Sequence, residues 1–239
     1  METALKFEKA GKRFGNSSVF CNLDLRVDRG CFFGLAGVNG AGKTSLIKCM
    51  LDFCRLDSGS VEIFGVPHTE RKSRARLAYL PERFSPPHYL RGKDFIDFSL
   101  KLYGVKPESG AILKMLEDLD LDRDALSRPV KAFSKGMTQK LGLAACLLAD
   151  KDLFVLDEPM SGLDSKARAL VKQKLVGLKE KGKTLFFTSH SLNDMEALCD
   201  DMVVLHEGEL KFSGSPDAFK RLAPENDIEA AFLKTIGVR

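Results

Sequence analysis

A glycine-rich segment of the sequence has the residue types and the spacing of a phosphate-binding loop. It reads GVNGAGKT over residues 37–44, and its glycines let the backbone curl so that N–H groups at the start of a helix face phosphate oxygens. Lys43 is expected to reach the β- and γ-phosphates, and the Thr44 hydroxyl is expected to ligate Mg²⁺. The flanking strand and helix patterns favour nucleoside triphosphate binding over the alternative, a turn without a ligand. The residues expected to hold the nucleotide in this segment are Gly37, Asn39, Gly40, Ala41, Gly42, Lys43, Thr44 and Ser45.

Polar side chains follow two further apolar stretches of the sequence. Asp157 and Glu158 come directly after the run LFVL at 153–156. Beside a phosphate loop, Asp157 suits coordination of Mg²⁺, and Glu158 can accept a proton from an attacking water. The run TSH at 188–190 ends the other stretch, where open α/β sheets place ligand contacts. His190 is therefore expected to contact the γ-phosphate. The alternative, for the acidic pair and for this run alike, is that the side chains are solvated residues at strand ends without a ligand.

A second candidate anion site lies in the segment AFSKGMTQK at 132–140, which is expected to begin an apolar helix, Leu141–Ala149. Ser134 and Gly136 at a helix N-terminus are suited to binding an anion. The nucleotide bound to a chain already has the phosphate loop of that chain for its phosphates, so it does not need a second anion site there. We therefore expect Ser134 and Gly136 to close over ATP bound to another copy.

The elements that must position these residues repeat in the order strand, loop, helix. The stretches at 31–36, 153–156 and 184–187 are apolar on both faces, as in buried parallel strands, and each leads through a loop to a helical pattern. This repetition predicts a parallel α/β sheet. The helices are expected at Lys43–Phe53, Ser165–Lys181 and Ser191–Cys199. A capping box between Ser191 and Asp194 is expected to start the last of them.

Three other regions have different patterns. Residues 1–30 alternate between apolar and polar types around two turn signals, which predicts an antiparallel β start. Residues 83–148 have apolar residues at helical spacing and no strand-like run, which predicts a helical insertion. A hairpin around Glu207 and Gly208 is then followed by an amphipathic helix. Its apolar residues are Ile228, Phe232 and Ile236.

Composition narrows the class of protein without identifying it. The 239 residues are 44% hydrophobic and 29% charged, as in a soluble globular domain, and a net charge of +4 does not argue for nucleic acid. The longest apolar stretches are far shorter than the roughly 20 residues of a membrane span. No targeting peptide is expected at the N-terminus. The six cysteines lack metal-ligand spacing, so a reducing cytosol fits best.

Five motifs, in this order, resemble those of the ATP-binding subunit of an ABC transporter, and the resemblance covers nearly the whole chain. They are GVNGAGKT (37–44), FSKGM (133–137), LFVLDEP (153–159), SGLD (161–164) and His190. Phe14, in the run KRFG, matches the aromatic residue that stacks on adenine in this family. The resemblance implies ATP and Mg²⁺ as cofactors.

The resemblance also implies a fold and its divisions. The fold is α/β, with a P-loop NTPase (RecA-like) core, an N-terminal antiparallel β subdomain and an inserted helical subdomain. Residues 1–239 would form a single cassette. Within it, 1–82 and 149–239 would form the nucleotide-binding core, and 83–148 the helical signature subdomain.

The sequence departs from the family pattern at two places. The signature is usually LSGGQ, whereas Lys135 and Met137 stand here beside the retained γ-phosphate contacts Ser134 and Gly136. The family also has a Gln that touches Mg²⁺ and the attacking water, and Glu82 occupies that position here. A carboxylate can ligate Mg²⁺ but adds negative charge beside the γ-phosphate. We therefore expect Mg²⁺-dependent turnover with a changed metal or pH response.

The function implied is hydrolysis of ATP to power transport through a separate transmembrane permease. Catalysis is assigned to Glu158, His190 and Lys43, and metal binding to Thr44, Glu82 and Asp157. Two cassettes, as a homodimer or a heterodimer, would join head to tail at the inner face of the cell membrane. The forms YLPE (79–82) and SKGM (134–137) resemble those of the group that exports drugs, lipids or polysaccharides. The segment containing Pro86, Pro87 and the helix 95–103 is the candidate contact with the permease.

Two other functions compete with this one. A soluble ABC ATPase acting on ribosomes or DNA usually has two cassettes or a long coiled-coil insertion, and neither is present in this sequence. A nucleotide-binding scaffold without turnover would lack the catalytic carboxylate, whereas Glu158 is present. The basic residues at 71–76 are interpreted as a solvated face, and no nucleic-acid partner is expected.

Overall fold

The framework of the chain is a set of β-strands, described together with the rest of residues 2–238 by a computed structural model. In chain order these strands are β1 (Thr3–Phe14), β2 (Ser17–Asp28), β3 (Phe32–Ala36), β4 (Ser58–Ile63), β5 (Val66–Pro67), β6 (Leu77–Leu80), β7 (Leu153–Leu156), β8 (Thr184–Thr188), β9 (Asp201–His206) and β10 (Glu209–Gly214). They form two sheets. The first has the antiparallel order β2-β1-β4-β5, and the second has the order β10-β9-β3-β8-β7-β6.

The antiparallel sheet confirms the β start expected from the first thirty residues. Strands β1 and β2 pair from Thr3 with Asp28 to Phe14 with Ser17. No strand was expected at β4 or β5. The reason is physical, since only Val61 and Ile63 of β4 are buried, and two apolar residues are too few for a detectable alternation.

The second sheet confirms the predicted parallel core. Strands β6, β7, β8, β3 and β9 are parallel neighbours, while β10 pairs antiparallel with β9 in the expected hairpin. Every residue of β3, β7 and β8 is buried, as their continuous apolar sequences predict. Because these strands run in the same direction, the loops after their carboxyl ends meet at one edge of the sheet.

Helices cover the sheets and fill the segment between β6 and β7. They are α1 (Lys43–Met50), α2 (Gly92–Leu102), α3 (Ser109–Asp118), α4 (Lys135–Leu148), α5 (Ser165–Glu180), α6 (Leu192–Leu198), α7 (Pro216–Lys220) and α8 (Ile228–Thr235). The segment expected to be a helical insertion contains α2, α3 and α4, together with short 3₁₀ turns. A continuous hydrophobic cluster joins these helices to the parallel sheet. The division into a core and a helical subdomain stays a prediction.

One helix prediction was wrong at its end. Helix α1 ends at Met50 rather than Phe53, because Asp52 adopts a positive φ of 62° and Phe53 N–H turns back to donate to the Lys48 carbonyl. Helix α4 starts at Lys135, which confirms that the segment 132–140 begins the apolar helix and that Ser134 and Gly136 lie at a helix N-terminus. Its N-cap is Ser134, whose Oγ accepts a hydrogen bond of 3.2 Å from Met137 N.

The predicted capping box of α6 is also wrong. Ser191 makes no side-chain cap, and Asp194 is buried within the fold rather than turned toward Ser191 N–H. Its carboxylate lies 2.8 Å from Arg168 Nη2 and 2.6 Å from Lys172 Nζ, both on α5. Ion pairing to a neighbouring helix thus replaces local capping, an outcome that residue spacing alone does not reveal. None of the helices within residues 2–238 is long and apolar enough to cross a membrane.

Candidate functional site

The glycine-rich loop joins β3 to α1 and presents the N-terminus of that helix. Gly40 and Gly42 have φ values of 82° and 106°, a left-handed backbone that favours glycine. A Cβ on Gly42 would lie 2.8 Å from Val19 Cγ1, so the loop also needs glycine there for space. The first turn of α1 carries no acidic residue. The unpaired N–H groups and positive end of α1 are therefore available to an anion.

Lys43 lies inside the curve of this loop. Its side chain is 7% exposed, and its ammonium donates hydrogen bonds of 2.6 Å to the Gly37 carbonyl and 3.3 Å to the Val38 carbonyl. Burial lowers the pKa of Lys43, while the nearby carboxylates Glu158 and Asp157 act in the opposite direction. A buried cation held by two loop carbonyls is well placed to bind a phosphate oxygen.

Asp157 connects the end of β7 to both the phosphate loop and β8. Thr44 Oγ1 donates to its Oδ2 at 3.0 Å, and Thr188 Oγ1 donates to its Oδ1 at 2.7 Å. Burial raises the pKa of Asp157, and the two hydroxyl hydrogen bonds oppose that rise. Hydroxyl and carboxylate oxygens in contact at a strand end are the donors that Mg²⁺ prefers. Glu82 lies in the same pocket and adds a third oxygen-bearing side chain.

Glu158 is buried, with an uncommon backbone conformation. Its φ is 51°, and its N–H donates to Thr188 Oγ1 at 2.8 Å. His190 N donates to Glu158 Oε2 at 3.2 Å, whereas no group within residues 2–238 donates a hydrogen bond to Oε1, although His190 Nε2 lies 3.3 Å away. Burial raises the pKa of the Glu158 carboxyl to about 7. A carboxylate with one unpaired buried oxygen and this pKa is suited to accept a proton near neutral pH.

His190 stands at the outer side of the same group. Its side chain is half exposed, and its Nε2 lies 3.3 Å from Glu158 Oε1. Burial, reinforced by the Lys43 ammonium, lowers the pKa of His190. The imidazole is thus neutral at physiological pH and has one ring nitrogen free to bond a ligand.

These residues line a single pocket of about 250 Å³. It brings together nearly every residue predicted for the nucleotide of one chain. The lining residues are Phe14, Val19, Asn39, Gly40, Ala41, Gly42, Lys43, Thr44, Ser45, Glu82, Asp157, Glu158 and His190. Gly37 is absent from the lining but touches it through its hydrogen bond to Lys43. The ring of Phe14 is 54% exposed at one side of the pocket, with Lys12 Nζ 5.0 Å from its centroid.

Ser134 and Gly136 are not part of this pocket. Ser134 is exposed at the start of α4, and a Cβ on Gly136 would lie 3.4 Å from the Gly162 carbonyl in the SGLD segment. The structure thus separates the second candidate anion site from the phosphate loop of the same chain. Its contact with the nucleotide of another copy stays a prediction.

Two buried polar residues of the site have contacts that the sequence did not indicate. Thr188 is fully buried and contacts both Asp157 and Glu158. Gln139 is 6% exposed, and its Nε2 donates to the Pro159 carbonyl at 2.9 Å. The position of Thr188 in a polar run at a strand end was a partial signal. No sequence signal marked Gln139, whose partner lies on a distant segment.

The chain is similar in sequence to known proteins. The sequence matches the family model described as ABC transporter over residues 20–161. An uncharacterised ABC transporter ATP-binding protein of Synechocystis sp. is 40% identical over 196 residues, which cover 81% of this chain and 55% of that relative. A Nod factor export ATP-binding protein I of Paraburkholderia xenovorans is 33% identical over 222 residues, covering 91% of this chain and 72% of that protein. The chain thus spans about half the length of the first relative.

A solved structure described as the ATP-binding subunit of an ABC transporter has the same fold. The two chains superpose with a TM-score of 0.88 at 26% sequence identity. The match covers 97% of this chain and 99% of the other. The predicted α/β fold, with a P-loop core and an antiparallel sheet, is therefore confirmed.

Proposed function

The chain belongs to the ABC transporter family of ATP-binding proteins, and from this premise we propose that it binds and hydrolyses ATP to drive transport across a membrane. The observation that carries the proposal is the convergence in one pocket of Lys43, Thr44, Asp157, Glu158 and His190. These side chains come from three strand ends that are separated by long stretches of sequence. Their types match the needs of phosphoryl transfer, which are a cation for the phosphates, oxygen ligands for a metal, and a base for water.

Each residue has a distinct part in the proposed reaction. The loop N–H groups and Lys43 hold the phosphates, and Phe14 offers its exposed ring to the adenine base. Thr44, Asp157 and Glu82 would hold Mg²⁺, which would offset charge on the β- and γ-phosphate oxygens. Glu158 takes a proton from the attacking water, and neutral His190 donates to the γ-phosphate.

We propose that two cassettes join head to tail around two ATP molecules. Ser134 and Gly136 lie on an exposed helix start outside the pocket of their own chain, which supports their use by the nucleotide of a second copy. The partner would be an identical chain or another cassette. ATP binding would close the dimer, and hydrolysis would reopen it.

The transport function would require a transmembrane permease as a separate partner. Export is the direction we favour, because relatives named for Nod factor export align with 90% or more of this chain. The cassette would then lie on the cytoplasmic face of the membrane, bound to the permease. The surface of the permease would determine which compound is transported.

A phosphate-release assay with purified protein tests the enzymatic part. ATP turnover is expected with Mg²⁺ and should be lost when EDTA is added. Lys43→Ala, which removes the phosphate-binding cation, should also abolish turnover. Nucleotide binding without release of phosphate by the wild-type protein would contradict the proposal and favour a scaffold.

A further inference from the structure

One buried hydroxyl joins the two consecutive acidic residues that follow β7. Thr188 Oγ1 donates to Asp157 Oδ1 at 2.7 Å and accepts from Glu158 N at 2.8 Å. We infer that Thr188 is a positioning residue for ATP hydrolysis, which fixes the Asp157 carboxylate and the Glu158 backbone in their working geometry. This inference rests on the proposed function and adds to it a residue that is not among those lining the pocket.

The strand register explains why this contact forms. Strands β7 and β8 are parallel and pair Leu156 with Phe187. The residues that come next are Asp157, directly after β7, and Thr188, the last residue of β8. They therefore stand side by side where the strands end. Thr188 is 0% exposed, so no water competes for its hydroxyl. A hydrogen bond to a carboxylate in such a setting is stronger than one between neutral groups.

The direction of the hydrogen bonds is fixed by the backbone. Glu158 N–H can only donate, so Thr188 Oγ1 must accept from it. The single hydroxyl proton is then left for Asp157 Oδ1, which must accept. With Oδ1 held in this way, Oδ2 is the oxygen that faces Thr44 and the phosphate loop. Thr188 thereby fixes the orientation of the carboxylate, with one oxygen held by Thr188 and the other presented to the metal side of the pocket.

The same hydroxyl stabilises the strained turn at Glu158. A non-glycine residue with φ of 51° has an unfavourable backbone and persists only where the surroundings hold it. The N–H of Glu158 lies beyond the last paired residues of β7, and Thr188 supplies its acceptor. Without this bond, the Glu158 carboxylate would lose the backbone anchor that directs it toward His190.

The chain provides a matched control on the same strand. Thr184 begins β8, is also 0% exposed, and accepts a hydrogen bond of 2.9 Å from Gly30 N. Thr184→Val removes a buried hydroxyl and orphans a backbone N–H, as Thr188→Val does. Of these two threonines, Thr188 contacts Asp157 and Glu158, whereas the hydrogen bond of Thr184 is to Gly30. A difference between the two variants therefore separates positioning from loss of a buried hydrogen bond.

The test measures turnover and nucleotide binding in the full chain. Thr188→Val should lower kcat by roughly 10- to 100-fold with at most a severalfold rise in KM for Mg²⁺–ATP, because it removes a hydrogen bond to a charged group in the site. Thr188→Ser, which retains the hydroxyl, should recover most of the activity, and Thr184→Val should retain it. Binding of a hydrolysis-resistant ATP analogue should be unchanged in EDTA, while the gain in affinity on adding Mg²⁺ should fall severalfold. Thermal unfolding is measured for every variant, and Thr188→Cys replaces Thr188→Val if the latter does not fold.

The outcomes separate this inference from the proposed function. Equal kcat in Thr188→Val and Thr184→Val would overturn the inference while leaving ATP hydrolysis in place. Failure of Thr188→Ser to recover activity, although it is folded, would overturn it as well. A wild-type protein that does not hydrolyse ATP would overturn both.

Discussion

Gln139 donates a hydrogen bond of 2.9 Å to the carbonyl of Pro159, which joins α4 to the residue that follows the acidic pair. Its Nε2 also lies 3.5 Å from the Glu158 carbonyl. Ser134 and Gly136, which are proposed to bind the nucleotide of a second copy, lie at the start of α4. The hydrogen bond from Gln139 therefore connects that helix to the catalytic segment of the same chain. The tie is buried, since Gln139 is 6% exposed.

Gln139→Ala should slow ATP hydrolysis several-fold while leaving ATP binding within about twofold of wild type. The substitution orphans the Pro159 carbonyl, a loss of about 1–3 kcal/mol for a buried group, but leaves the phosphate loop untouched. Gln173→Ala, an exposed residue on α5, is the control. Equal kcat in the two variants would show that the contact has no part in turnover.

Glu158→Gln should abolish turnover and favour an ATP-bound dimer. The amide cannot accept the proton of the attacking water, so ATP would remain bound between the two copies. Light scattering with and without ATP measures the mass. A variant that stays monomeric at high protein concentration in ATP would contradict the head-to-tail arrangement.

Glu82→Gln should retain hydrolysis within a few-fold of wild type. Glu82 is exposed at the pocket, and its charge lies beside the proposed phosphate position, so an amide can replace it as a metal ligand with less repulsion. Turnover is measured over a range of Mg²⁺ and Mn²⁺ concentrations. A loss as large as that of Glu158→Gln would refute the assignment of Glu82 to a supporting role.

Stability should fall with rising pH through the titration of Glu158. Its pKa is raised from 4.5 to about 7 in the folded chain, so the folded state binds more protons than the unfolded state between these values. The contribution is full below pH 4.5 and lost above about pH 7. Glu158→Gln should therefore be more stable than wild type at pH 8, by about 3 kcal/mol, and nearly equal at pH 4.5.

Chemical unfolding of the nucleotide-free proteins across this pH range measures the difference. His190 contributes in the opposite sense, because its pKa is lowered, but it is present in both proteins. The difference between wild type and variant thus isolates Glu158. A difference that does not change with pH would contradict the raised pKa.

Phe14→Ala should weaken ATP binding roughly 5- to 100-fold, since stacking of a base on an aromatic ring contributes about 1–3 kcal/mol. Phe14→Tyr should retain affinity. Phe53→Ala removes another exposed ring, one that lies outside the pocket and contacts Tyr79. Similar affinities in the two alanine variants would argue against stacking of adenine on Phe14.

The phosphate loop, the acidic pair and His190 could be predicted because each follows an apolar run that is continuous in sequence. Their mutual distances could not, since they depend on the strand order and register of β3, β7 and β8. The same limit explains the error at Asp194. Its spacing from Ser191 suggested a local cap, whereas ion pairs to Arg168 and Lys172 on another helix determine its position.

Glu82 and Phe14 illustrate an intermediate case. Family resemblance gave their positions in sequence, and the fold brings both to the pocket. Strands β4 and β5 could not be predicted from an apolar pattern, because the pairing of β4 with β1 holds residues that are mostly exposed. Backbone hydrogen bonding, rather than burial of side chains, defines that part of the sheet.

The pairing of Leu156 with Phe187 also restricts where the chain can tolerate the insertion or deletion of a residue. Deleting one residue from β8 upstream of Thr188 would bring a different side chain opposite Asp157 and reverse the facing of the strand. Single-residue insertions and deletions in β7 and β8 should therefore be eliminated from a library selected for activity. The turn at Phe64 and Gly65, between the mostly exposed β4 and the short β5, should accept them far more often.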